Sequence, residues 1–168
     1  IVKEHILNNN ISLVIVGFKR EKTFIEDIFN GSNLSSIIRK LNIPVLVIKT
    51  EDEPIYKNIL IPTDLSKASR NNIKYLISIF PEANFHIEHY YKAFFEDRVK
   101  LYGFDDEEAH DFVDFYAQEA EDELNKFIEK LELNSDIKVF TKAKKYLDIK
   151  TMVEESIEYK TIDLLSLS

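Results

Sequence analysis

Residues 58–66 read NILIPTDLS, and this stretch decides the fold. Ile59, Leu60 and Ile61 form a continuous aliphatic run, the pattern of a strand buried on both faces. Directly after Pro62, Thr63 and Asp64 the period changes from strand to helix. Leu65, Ala68, Ile73, Leu76, Ile77 and Phe80 then recur on one helical face. A buried strand that turns at once into an amphipathic helix is the unit of a parallel α/β sheet, whose carboxyl edge is where ligands of open folds sit. Asp64 stands at that edge with two readings open. It can accept hydrogen bonds from a ribose or a base amine, or it can join Ser66 in capping the helix, where a side-chain oxygen satisfies free N–H groups.

Five further apolar runs surround this unit: Ile11–Val16, Pro44–Lys49, Asn84–Tyr90, Asp136–Thr141 and Ile162–Leu167. Between the later ones lies a long helical pattern carrying Phe112, Phe115, Tyr116, Leu124, Phe127, Ile128 and Leu131. Strand alternating with helix requires crossover connections, so the expected class is α/β, an open parallel twisted sheet with helices on both faces.

The 168 residues allow one domain or pieces of two, and 45% hydrophobic residues suffice for a real core. Lys and Arg number 22 against 30 Asp and Glu, a formal net charge of −8. Residues 1–53 are balanced, with 7 basic and 7 acidic side chains, whereas residues 96–132 hold 14 acids and 4 bases. Such a surface repels phosphate backbones, so no nucleic-acid partner is expected. Zero Cys excludes disulfides, thiolate nucleophiles and Cys-ligated metals, and fits a reducing compartment. No apolar run approaches the roughly 20 residues of a membrane span, and no signal-peptide pattern opens the chain. A cytoplasmic protein without membrane contact is expected. The start at Ile1 reads as a trimmed chain.

Laid over Met152–Ser168, the segment Ile1–Gly17 matches without a gap. Val2 meets Val153, Glu4 meets Glu155, Ile6 meets Ile157, Ile11 meets Ile162, and Leu13 meets Leu164. Helix–strand joints resemble one another, which is one account of the match; a tandem duplication is the other. On the second account residues 1–53 are the C-terminal part of a first repeat and residues 54–168 the N-terminal part of a second.

Two of the three glycines fall together, at Gly17 and Gly31. Gly17 ends a buried strand, and Gly31-Ser32-Asn33 precedes a helical segment over Leu34–Leu41. Glycines around a loop that enters a helix let backbone N–H groups approach phosphate. Ser32 or Asn33 would cap that helix in either case. The Gly-Lys-Ser/Thr ending of a P-loop is missing, as is a GxGxxG pattern.

Together, ISLVIVGF, GSNLSSIIRKLNIPVLVIK and KNILIPTDLSKASRNNIKYLI resemble the universal stress protein family, in a tandem two-repeat form. The resemblance implies a parallel five-stranded α/β fold of strand order 3-2-1-4-5. It implies a stress-response regulatory module, in many members binding an adenine nucleotide such as ATP or AMP, and no enzyme. Carried onto this chain, the pocket uses Pro62, Thr63 and Asp64 for base and ribose, and Gly17, Gly31, Ser32 and Asn33 for ribose and phosphates. It further implies a homodimer, or pairing of repeats within the chain, through the strand 44–49.

The departures are specific. Arg20 stands where ATP-binding members carry a second Gly, and ten residues, Glu21–Asn30, precede Gly31 in place of nine. Ser168 occupies the place of Gly17 in the second copy. The halves of the pocket also belong to different copies. A permuted docking of the first copy's strands beside Asn58–Pro62 would complete one pocket, in competition with Ile162–Leu167. The second reading is therefore a degenerate member acting through dimerisation or protein partners.

The other candidates read as structural. His86 and His89, three apart in a strand, point to opposite faces and cannot share a metal, so no metal site is expected. His5 and His110 lie among polar residues. The acidic stretch from Asp105 to Glu132 reads as a solvated amphipathic helix. Tyr90, Tyr91, Phe94, Phe95 and Tyr102 read as packing residues, and Lys142, Lys144 and Lys145 as a small basic patch following a strand. No Ser-His-Asp spacing or paired carboxylate points to catalysis.

Overall fold

The computed structural model describes residues 9, 11–17, 41, 43–48, 55–92, 106–146 and 148–168, with 106–110 by backbone alone. The chain divides into two compact units, Ile1–Pro54 and Ile55–Ser168. In the first unit, strands β1 (Val14–Gly17) and β2 (Val45–Ile48) pair in parallel, with Val14 beside Val45 and Gly17 beside Ile48. Both fall inside continuous aliphatic runs, as the sequence predicts.

The second unit alternates strand and helix: β3 (Asn58–Thr63), α1 (Lys67–Ile79), β4 (Asn84–Tyr91), α2 (Asp106–Glu129), β5 (Lys138–Lys145), α3 (Ile149–Lys160) and β6 (Leu164–Leu165). All pairings are parallel, in the order β5-β4-β3-β6. Counted from β3 as the first strand of the unit, that order is 3-2-1-4, the expected arrangement as far as this unit extends.

The core lies between the sheet and the helices α1 and α2. Ile59, Ile61, Ile73, Phe85, Ile87 and Leu124 are wholly buried there, each contributing roughly 1.5–3 kcal/mol of transfer free energy. Alternation along β3 and β4 sends these side chains to one face and Leu60, Glu88 and Tyr90 to the other, which α3 covers through Val153 and Ser156. The start of β6 is pinned to the start of β3, because the Asp163 carboxylate accepts hydrogen bonds from the N–H groups of Lys57 (3.0 Å) and Asn58 (2.8 Å).

Three readings of helical periodicity are corrected. Ala68 is exposed, and Ser69 takes the buried position in the first turn of α1. Phe112 and Phe115 are 44% and 62% exposed instead of packed beneath the acidic face. At 1.5 Å per residue the 24 residues of α2 span about 36 Å, longer than the strands it covers. Ala120, Leu124 and Phe127 pack on one face of it, whereas at about 100° per residue Phe115 lies roughly 180° round the helix from Leu124 and Phe112 roughly 120°, so both point away from the core. Lys142, Lys144 and Lys145 lie within β5, which runs four residues past the expected Thr141. No described helix is long and apolar enough to cross a membrane.

Candidate functional site

The site follows from the strand order. From β3 the chain steps to β4 and β5 on one side, then α3 carries it back to β6 on the other. Strand order therefore reverses at β3, and the carboxyl ends of β3 and β6 flank the switch point where open α/β sheets form a crevice.

Pro62 ends the strand pairing at that point. Leu60 faces β6, its carbonyl accepting from Ser166 N–H at 2.9 Å. The next β3 residue facing β6 is Pro62, which has no N–H to donate. The ladder stops after Leu164–Leu165, and Ser166–Ser168 leave the sheet. This is why β6 is shorter than the expected Ile162–Leu167.

Hydroxyl and carboxylate groups crowd the edge so formed. Thr63 Oγ1 accepts from Leu65 N–H at 3.0 Å, which helps hold Leu65 at φ 62, a left-handed conformation costing a β-carbon residue about 1–2 kcal/mol. Asp64 Oδ1 accepts from Ser66 N–H at 3.0 Å and from Ser69 Oγ–H at 2.6 Å. Ser66 Oγ in turn accepts from Ser69 N–H at 3.1 Å as the N-cap of α1. Of the two readings of Asp64, the structure thus contains the turn-and-cap role, shared with Ser66. The hydroxyl of Ser69 and the backbone and hydroxyl of Ser66 hold the Asp64 carboxyl down at about 2, so it is ionised at neutral pH while remaining exposed.

The end of the chain closes one side of the same network. Ser168 Oγ lies 3.0 Å from Ser69 Oγ, and Asn72 Nδ2 donates to Ser166 Oγ at 2.9 Å. From the other side His89 Nδ1 meets the Thr63 carbonyl at 3.1 Å. Ser69, Asn72 and Ser166 were not singled out by sequence reasoning, and His89 was weighed there only as a metal candidate with His86. Ser69 and Asn72 do carry a signal, since they lie three and six residues past the N-cap on one side of α1.

Of the remaining candidates, Pro62 and Thr63 end β3, Thr63 being buried and Pro62 half-buried. Gly17 ends β1 in the first unit, where an added β-carbon would meet nothing within 4 Å. Gly31, Ser32 and Asn33 lie outside the described residues, as do Arg20, the loop Glu21–Asn30, Phe94, Phe95, Tyr102 and His5. The permuted docking considered from the sequence requires a free place beside β3. That place is taken by β6, with Ile59 beside Leu164 and Leu60 beside Leu165. Among the described residues no group of three or more His, Asp or Glu is arranged to hold a metal ion.

A second polar centre escaped sequence reasoning altogether. Glu88, in the middle of β4, is wholly buried. It accepts from Lys160 Nζ (2.6 Å), Ser156 Oγ (2.8 Å) and Tyr90 Oη (2.5 Å), and pairs with Lys144 Nζ at 3.0 Å. Burial alone would raise its pKa; the bonds from Lys160, Tyr90, Ser156 and Lys144 overcome that and bring it to about 2. Burial and the adjacent carboxylate push the Tyr90 phenol well above its ordinary range. Lys144 also donates to Ser156 at 2.5 Å, but this is no nucleophile and base: Lys144 is bound to a carboxylate as its cation, and Ser156 is 2% exposed. The centre ties β4, β5 and α3 together. Its sequence signal is a lone Glu between Ile87 and His89 in a buried run.

The second unit is thus an open parallel α/β domain with its polar crevice at the switch point. Among solved structures the chain is similar to the universal stress protein UspA from Lactobacillus plantarum, at 20% identity over 67% of this chain and 77% of that one, with a TM-score of 0.50. It is also similar to a protein from the universal stress protein family from Burkholderia pseudomallei, at 14% identity over 66% and 79%, with a TM-score of 0.49. At 20% identity the likeness to the Lactobacillus plantarum protein is one of fold, and the fold is the one that the sequence resemblance implies. By sequence the chain matches no family profile and no curated protein.

Proposed function

We propose that this chain is a universal stress protein, a regulatory module that binds an adenine nucleotide at the carboxyl edge of β3 and acts by binding, without turnover. The observation that supports the reading is the linked set Asp64, Ser69 and Ser168 at the switch point, with Asn72 bound to Ser166 on the same helix side and Thr63 ending β3 beside them. An exposed, ionised carboxylate whose Oδ1 is already hydrogen-bonded presents its other oxygen to a ribose hydroxyl or a base amine. Gly17, with Gly31, Ser32 and Asn33, would serve phosphates in a complete repeat, and the edge of β2 would carry the pairing of two repeats or two chains. Isothermal titration of ATP into the chain tests the reading, with Asp64→Ala as control. Saturable binding lost in the variant is expected.

A degenerate member that acts only through protein association is the second reading. Arg20 and Ser168 in glycine positions favour it, as does the engagement of Ser168 with Ser69 across the crevice. Absence of heat at millimolar ATP selects this reading over the first.

A further inference from the structure

The edge of the sheet at β5 is closed at both ends and open in the middle. Along a parallel strand, alternate residues turn both backbone groups to the same neighbour. Tyr146 N–H donates to the Tyr91 carbonyl at 3.0 Å, so the even-numbered residues of β5 bond to β4 and the odd-numbered ones turn outward. At one end Ile137 N–H donates to the Asn134 carbonyl at 3.1 Å, and at the other Ala143 N–H donates to Glu121 of α2 at 3.2 Å. Between them, nothing among the described residues accepts from the outward N–H groups of Val139 and Thr141. Over the same window Lys138, Phe140 and Lys142 stand on the α3 face, all exposed. Lys144 identifies that face by reaching Glu88 and Ser156 there. The Phe140 ring is 53% exposed and lies within 18° of parallel to His86 of β4, at 5.1 Å between centroids. That separation is close to the spacing of adjacent strands, about 4.8 Å. The two rings therefore stand in one row across the sheet, and the outer face of Phe140 turns to where a further strand would place its side chain.

Lysines on an edge strand guard against unwanted pairing. A guard needs no exposed aromatic ring between its charges, and these lysines favour one class of strand, because opposite charges facing across two strands attract. Neither Lys138 nor Lys142 has a carboxylate partner among the described residues, although the chain carries a net charge of −8. We propose that the open window of β5 binds an extended segment of another protein by antiparallel strand addition, the segment carrying an acid, an aromatic and an acid at alternate positions. Backbone bonds to Val139 and Thr141 hold the added strand, and the row of Lys138, Phe140 and Lys142 selects it. Phe140 then falls at a non-hydrogen-bonded pair, where facing side chains come nearest, and the partner's ring extends the stack begun by His86. A second copy does not supply this pattern. No Phe or Tyr of the 168 residues has an acid both two positions before it and two positions after it, and pairing two β5 edges would set lysine against lysine. The window lies at the opposite side of the sheet from the crevice beside β6, so the proposal does not depend on nucleotide binding.

Fluorescence anisotropy tests this, with the full chain titrated into a labelled, end-blocked peptide Thr-Glu-Val-Tyr-Val-Glu-Thr. Saturable binding is expected, weakened at about 1 M salt, where the screening length falls to about 3 Å. Phe140→Ser should raise the dissociation constant about tenfold or more, as removal of a central aromatic anchor does. Lys142→Glu should also weaken binding. A peptide with Lys in place of both Glu should fail with the wild type and bind the double variant Lys138→Glu, Lys142→Glu. These positions are exposed, and circular dichroism checks that the variants fold. N-methylation of the two valines, whose N–H groups face β5 in the antiparallel sense, should abolish binding while leaving every side chain in place. Absence of saturation at millimolar peptide overturns the proposal. So does binding that survives Phe140→Ser and Lys142→Glu, and so does an equal response to the methylated peptide. Self-association of the chain that is lost in Phe140→Ser overturns it as well, since a second copy is then the occupant.

Discussion

Asp64 and Glu88 are both carboxylates held at about 2, and they reach that value by opposite routes. Asp64 lies in the open, and two serines stabilise its ionised form through hydrogen bonds. Glu88 is wholly buried, a position that favours the neutral acid, and two lysines, a tyrosine and a serine reverse that preference. The same titration value therefore means different things. At Asp64 the stabilised charge still faces water and can be handed to a ligand. At Glu88 every donor comes from the protein, and the charge is spent on holding α3 against the sheet.

Glu88→Gln should separate the two most strongly. Removing one partner of a buried ionic cluster leaves Lys144 and Lys160 uncompensated and typically costs about 3–5 kcal/mol. Urea denaturation would measure it, and a loss below about 1 kcal/mol would mean that water already solvates the cluster. The acid dependence comes next. A carboxylate with a depressed folded value adds stability that is whole above its ordinary value, 4.5 for Glu88 and 3.8 for Asp64, and that is lost as pH falls toward about 2. Wild-type stability should therefore decline across that window, and the decline should be shallower in Glu88→Gln.

Effects at the open edge should be smaller. Ser66→Ala removes the N-cap of α1 and should cost about 1 kcal/mol. Asp64→Asn keeps an oxygen for the turn and should cost less in stability than Ser66→Ala, while abolishing any nucleotide binding that needs the charge. Smallest in stability is Ser168→Gly, at an exposed position, expected within about 0.5 kcal/mol. On the nucleotide reading it should tighten ATP binding, because it places glycine at the position that matches Gly17 when Ile1–Gly17 is laid over Met152–Ser168.

Much of the fold was legible because burial on two faces leaves a plain mark. Ile59–Ile61 and Val45–Ile48 are continuous aliphatic runs, and each is a parallel strand. Helix α1 could be read from the spacing of Ile73 and Leu76, and its start from Asp64 and Ser66. Strand ends were less legible. The end of β6 depends on Pro62, whose missing donor matters only once β6 lies beside it. The exposure of Phe112 and Phe115 was hidden because the apolar positions of α2 span more than one helical face: at about 100° per residue Phe115 falls roughly opposite Leu124.

The amino-acid sequence by itself determined the parallel α/β class, the strand–turn–helix at residues 58–80, and the placing of Asp64 at a carboxyl edge. These are local matters of period, burial and turn chemistry. Only the tertiary structure decided that Ser69 and Ser168 join Asp64, that Asn72 meets Ser166, and that Glu88, Lys144, Ser156 and Lys160 form one buried cluster. Tyr90 apart, the partners of Glu88 are 56 to 72 residues distant in the chain, and no local pattern records which of many charges will be folded against it. A carboxylate looks the same in sequence whether it will face water or two ammonium groups. The difference is made when α3 closes over the sheet and removes the water.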